Sequence, residues 1–127
     1  MQQSSLSVVV ISRHRLTPGQ KRNLKQRGYG HIRYVNPPGR LRQCLDAILG
    51  VQTAYCGKLP DLVVAVLPRK MWAPFLEWAA ASKVTVVRAE MEREKPRKWH
   101  WTGCWLQCWY SECEGVKQAL WDAEAVR

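Results

Sequence analysis

The run Ser7-Val8-Val9-Val10-Ile11-Ser12 constrains this chain more than any other stretch. Its apolar residues do not alternate with polar ones, so a strand made from them is buried on both faces. That is the habit of parallel sheets, whose crossover helices cover both sides. The next residues fit such a crossover. In Thr17-Pro18-Gly19-Gln20, Thr17 suits the N-cap of a helix, Pro18 its first position, and Gln20 the second half of a capping box. Gly28 supplies a C-terminal stop. Leu24 is the main apolar residue of that helix, and its exposed side is strongly basic.

The pattern repeats along the chain. His31 to Val35 reads as a second strand, and Asn36-Pro37-Pro38-Gly39 breaks it. Leu41, Cys44, Leu45, Ile48 and Leu49 then fall on one helical stripe. Asp61 to Leu67 is a third strand, closed by Pro68, and a third helix is expected from about Met71 to Ser82. Met71, Phe75, Leu76, Trp78 and Ala79 form its inward face. Val84 to Val87 is a fourth strand. The order β-α-β-α-β-α-β predicts an α/β fold, a Rossmann-like sheet of about four parallel strands with flanking helices.

After Arg88 the character changes. Residues 90–98 read as a charged linker, and the Trp/Cys-rich stretch from Trp99 to Cys113 as a hairpin or added edge strand, with Gly103 marking a turn or a bulge. Trp99, Trp101, Trp105 and Trp109 share one parity, which a strand converts into one face. Such a row serves as sheet core, as a dimer contact or as a stacking surface for bases, core or contact fitting the burial habits of Trp best. Val116, Leu120 and Trp121 suggest a short terminal helix. The expected division is a Rossmann-like ligand-binding core over 1–92 and a Trp/Cys-rich extension over 93–127 packed on the same domain.

Charge narrows the class of partner. The 20 Lys and Arg against 10 Asp and Glu give a net charge of +10. The first 45 residues hold nine of these cations and no acid, the first acid being Asp46. Such a field draws in polyanions. No apolar run approaches the roughly 18–20 residues that span a bilayer. Residues 1–7 lack the order of a secretory signal, so a cytoplasmic protein with no membrane partner is the expectation. The five cysteines read as reduced thiols. His100, Cys104, Cys108 and Cys113 do not have the spacing of a known zinc site. In a flat strand His100 and Cys108 stand roughly 26 Å apart, at about 3.3 Å per residue. No metal or other cofactor is expected.

In an open α/β sheet, ligands bind beyond the carboxyl ends of the strands. Ser12, Arg13, His14 and Arg15 follow the first strand here, and Asn36 and Arg40 the second. Pro68, Arg69 and Lys70 follow the third, and Arg88 and Glu90 the fourth. Helices opening at Thr17, Gly39 and Met71 aim N–H groups the same way, which favours anions. No dinucleotide fingerprint or Walker lysine loop occurs. Only Glu90 and Glu92 are available at this edge to hold metal ions, whereas two-metal nucleases need several carboxylates. A metal-independent route fits better, in which a 2′-hydroxyl attacks the neighbouring phosphate and the protein stabilises the growing charge. His14 suits an acid or base, Arg13 a bidentate phosphate clamp, and Ser12 a hydrogen-bond donor. Arg15, Asn36, Arg40, Pro68, Arg69, Lys70, Arg88 and Glu90 complete the candidate ligand-binding set.

A strand ending in Ser12-Arg13-His14, a helix opening on Thr17-Pro18-Gly19-Gln20, and a strand ending in Val66-Leu67-Pro68 together resemble the standalone ring nucleases of type III CRISPR systems. The resemblance covers roughly residues 7–92 and does not extend to the Trp/Cys-rich tail. It implies a homodimer that binds cyclic oligoadenylate across its two-fold axis and cleaves it without metal, ending the antiviral signal. Two alternatives use the same residues. One is a sensor or sponge that holds the nucleotide uncut. The other is a basic accessory protein for linear RNA or DNA.

Overall fold

The computed structural model describes residues 6–35 and 58–121, together with Arg42 and Asp46. Six strands form one sheet: β1 (Leu6–Ile11), β2 (Tyr29–Val35), β3 (Leu62–Ala65), β4 (Thr85–Lys95), β5 (Lys98–Ser111) and β6 (Gly115–Leu120). Their spatial order is β2-β1-β3-β4-β5-β6. Two helices are described over their whole length, α1 (Pro18–Gln26) and α2 (Trp72–Ala81), the second entered through a 3-10 turn at Arg69–Met71, and Arg42 and Asp46 are helical as well. The break at residues 36–39 lies outside the described residues, as does nearly all of the helix expected over residues 41–49. No helix among the described residues is long and apolar enough to cross a membrane.

The expected Rossmann-like parallel sheet with flanking helices is overturned. The sheet is mixed: β1 pairs in parallel with β2 and β3, and β3 with β4, whereas β4–β5 and β5–β6 are antiparallel. The reason lies in residues that read as a linker. β4 does not stop after Val87 but continues to Lys95, turns on Pro96 and Arg97, and returns as β5. Pro96 pre-sets the first turn position, and Arg97 takes the positive φ of 66° at the second. The boundary expected at residue 92 therefore falls inside a continuous strand. The terminal helix is also corrected. Gly115, at φ 78°, follows the turn after β5, and β6 pairs with β5 from Ser111↔Gly115 to Leu106↔Leu120. The spacing of Val116 and Leu120 suits one face of a strand as well as one side of a helix.

Strand alternation divides the core between the two sheet faces. Val8, Val10, Leu62, Val64, Val87 and Trp105 pack with Leu24 of α1. Val9, Ile11, Val63, Ala65, Val86 and Cys108 pack with Met71, Phe75, Leu76 and Ala79 at α2. Both sides of β1 are thus covered, which is why its apolar residues run without a break. The capping box forms at Thr17: its Oγ1 accepts from the Gln20 N–H at 3.1 Å, and Gln20 Oε1 accepts from the Thr17 N–H at 3.0 Å. Trp105, fully buried, donates its indole N–H to Asn23 Oδ1 at 2.9 Å and so ties β5 to α1.

Pairing of β4 with β3 ends at Val64↔Val87. Beyond it, residues 91–95 and 98–101 pair only with each other and form a two-stranded arm that projects past the carboxyl ends of the parallel strands. Gly103, at φ 93°, lies in the bulge where the register shifts between Ala89↔Trp105 and Met91↔Trp101.

Candidate functional site

From β1 the chain passes through α1 to β2 on one side, while β3 lies on the other side of β1. The carboxyl ends of β1 and β3 therefore flank a point where the strand order reverses, the position at which open sheets leave a crevice. A cavity of about 560 Å³ opens there. Its walls come from Ser12 and residues 14–17 after β1, residues 64–67 at the end of β3, Trp72 at the start of α2, and Arg88, Ala89 and Met91 of β4. The size falls within the roughly 300–1,000 Å³ of small-molecule sites.

The chemistry of the lining is divided. Leu67, Trp72, Ala89 and Met91 offer an apolar wall, while Ser12, His14, Arg15 and Arg88 bring donors and positive charge. No Asp or Glu lines the cavity among the described residues. The Ser12 hydroxyl accepts from the His14 N–H at 3.0 Å and shapes the turn that presents His14. The Ser12 N–H donates to the Val35 carbonyl at 3.2 Å, anchoring that turn to β2. The Arg15 guanidinium stands 4.5 Å from the centre of the Tyr34 ring, a cation–π contact that restrains it beside the cavity.

A second cavity of about 530 Å³ adjoins the first and shares Leu67, Trp72 and Arg88 with it. Arg69, Cys108, Val116 and Gln118 complete its lining. Burial pushes the Cys108 thiol up to about 11, although the nearby Arg88 charge acts in the opposite sense.

The expected site residues divide accordingly. Ser12, His14, Arg15 and Arg88 line the first cavity; Arg69 lines the second, with Arg88 common to both. Arg13, Pro68 and Lys70 follow the same strand ends but line neither cavity, and Arg13 is exposed. Glu90 turns away along the arm, where its Oε1 accepts from the Thr102 hydroxyl at 2.8 Å. Asn36 and Arg40 lie outside the described residues. Sequence reasoning missed Trp72, Met91 and Tyr34. Trp72 directly follows the Pro68-Arg69-Lys70-Met71 stretch already read as a strand-end loop, so its position was the available signal. For Met91 the signal was the alternation of Glu90, Glu92 and Glu94 with Met91, Arg93 and Lys95, hidden because residues 90–98 read as a linker. Comparison with family models, curated proteins and solved structures finds no match to this chain.

Proposed function

We propose that this protein binds a phosphate-bearing nucleotide in the crevice between the carboxyl ends of β1 and β3, and that it cleaves cyclic oligoadenylate there as a ring nuclease. The observation that carries the reading is the divided lining. Arg15, Arg88 and His14 provide cationic or donor groups for a phosphate, and Trp72, Leu67 and Met91 provide an apolar wall for a base. The basic first third of the chain favours encounter with such ligands.

In this mechanism the ligand's 2′-oxygen attacks the adjacent phosphorus and the 5′-oxygen leaves, giving a 2′,3′-cyclic phosphate and a 5′-hydroxyl. His14 takes the 2′-proton or delivers one to the leaving oxygen. Arg15 and Arg88 stabilise the charge on the non-bridging oxygens. The lack of a carboxylate among the described lining residues supports a route that uses no metal-holding acids. A homodimer would offer the ring two such crevices.

The second reading, a sensor or sponge that holds the ligand uncut, is favoured by one observation. His14 is the only imidazole among the described lining residues, and no carboxylate stands beside it as a second acid or base, whereas cleavage moves two protons. Incubation with cyclic and linear oligonucleotides in chelator, followed by mass spectrometry, separates the two. The ring nuclease reading expects linear products and a 100- to 10,000-fold slower reaction, roughly, in His14→Ala. Intact ligand recovered from a tight complex selects the sponge. No binding of any adenylate removes both.

A further inference from the structure

We propose that one face of the β4–β5 arm is a stacking track for single-stranded nucleic acid, continuous with the cavity but outside it. It goes beyond the cavity reading and needs no cleavage.

Residues directly opposite in an antiparallel pair share a face. Met91 pairs with Trp101 and Arg93 with Trp99, so these four side chains lie together on the side of the sheet that carries α1. Trp101 packs at 5.4 Å from buried Trp105 and is held at the base of the arm. Met91, 41% exposed, also lines the cavity, and Trp99, farther out, is 57% exposed. The row thus leads from the cavity outward along the arm. An indole exposed to this degree contributes little to a core, and the arm has no third strand or helix over Trp99 among the described residues.

The charges on the arm are sorted by face. Glu90, Glu92 and Glu94 stand on the opposite side, where Glu90 is bonded to Thr102. There His100 lies 3.7 Å from Glu92 and 3.6 Å from Glu94, and Lys98 pairs with Glu94 at 3.7 Å. The acids are therefore matched within their own face. Arg93 lies beside Trp99, and Lys95 and Arg97 lead to the tip. None of these three is ion-paired among the described residues. Aromatic rings interleaved with uncommitted cations match the two repeating parts of an unpaired strand, its bases and its phosphates. A duplex hides its base faces and offers only the phosphates.

The test uses the full chain with three probes: a labelled linear oligoadenylate of about twelve nucleotides, an RNA duplex of the same length, and adenosine monophosphate for the cavity. Trp99→Ala is expected to weaken the strand by about 5- to 100-fold, Trp99→Phe to retain most of the affinity, and neither to change monophosphate binding. Arg93→Ala is expected to weaken the strand and flatten its salt dependence by nearly one counterion, at about 0.7 per phosphate. Unchanged strand affinity in both alanine variants, or a duplex bound as tightly as the strand, overturns the proposal. So does a wild-type dimer that Trp99→Ala turns into monomers with strand affinity intact, which would make this face a contact between copies. A wild-type protein that binds the strand through Trp99 but no monophosphate removes the cavity reading and leaves the track standing.

Discussion

Asn23 shows how much can hang on a single polar atom. Its Oδ1 accepts from the buried Trp105 indole and from Arg27 Nε, both at 2.9 Å. Asn23→Leu keeps the volume but leaves the indole N–H buried without a partner. The expected loss is about 1–3 kcal/mol, read as a lower denaturant midpoint at unchanged slope. The cysteines give a second residue-scale prediction. Cys104 and Cys113 are exposed and Cys108 is buried. Iodoacetamide is expected to label the first two in the native protein and Cys108 only on unfolding. The raised Cys108 value also fixes a pH dependence. Between the ordinary thiol value of 9.0 and about 11 the unfolded chain loses this proton while the folded chain keeps it. Its contribution to stability is therefore fully present below pH 9.0 and lost as pH rises through about 11. Cys108→Ser, whose hydroxyl does not titrate there, is expected to flatten that alkaline decline in a urea series.

At the scale of elements, the two described helices end differently for a chemical reason. The residue after the α1 cap is Gly28, at φ 99°, a conformation glycine reaches at no steric cost. After the α2 cap it is Lys83, at φ 59°. The Lys83 N–H donates to the Ala80 carbonyl at 3.2 Å and the Val84 N–H to Ala79 at 2.8 Å, the paired bonds of a Schellman ending. Val84 is buried just beyond. That ending demands the left-handed residue whatever its side chain. Lys83→Gly is expected to raise stability by about 0.5–1 kcal/mol, and Gly28→Ala to lower it by about 1 kcal/mol, in thermal melts of the two variants. For Gly28 the backbone decides, because an added Cβ would meet only Leu6 Cδ1 at an ordinary 3.8 Å.

For the whole molecule, the arm and the two cores are separable. Among the described residues neither core takes a side chain from residues 92–100, and the arm beyond Met91 pairs only with itself. Joining the paired residues Glu92 and His100 through Asn-Gly in place of 93–99 is expected to shift the melting temperature by less than about 5 °C. A collapse of the melt would show that the arm supports the fold. The sequence determined the local elements wherever one short-range rule had no competitor. The unbroken apolar run made β1 a doubly covered strand, Thr17 and Gln20 closed a capping box, and Gly28 stopped α1. It also brought Ser12, His14 and Arg15 to a strand end, since that needs only their order. Tertiary structure decided the direction of the last two strands and the fate of residues 90–98. The arm does alternate, Glu90, Glu92 and Glu94 against Met91, Arg93 and Lys95, but neither face forms a buried apolar stripe, so its mixed charges look the same as in a linker. It also decided which strand-end cations converge. Whether Arg69 joins Arg15 or lies around the sheet edge from it depends on side-chain direction and strand order, and spacing along the chain encodes neither.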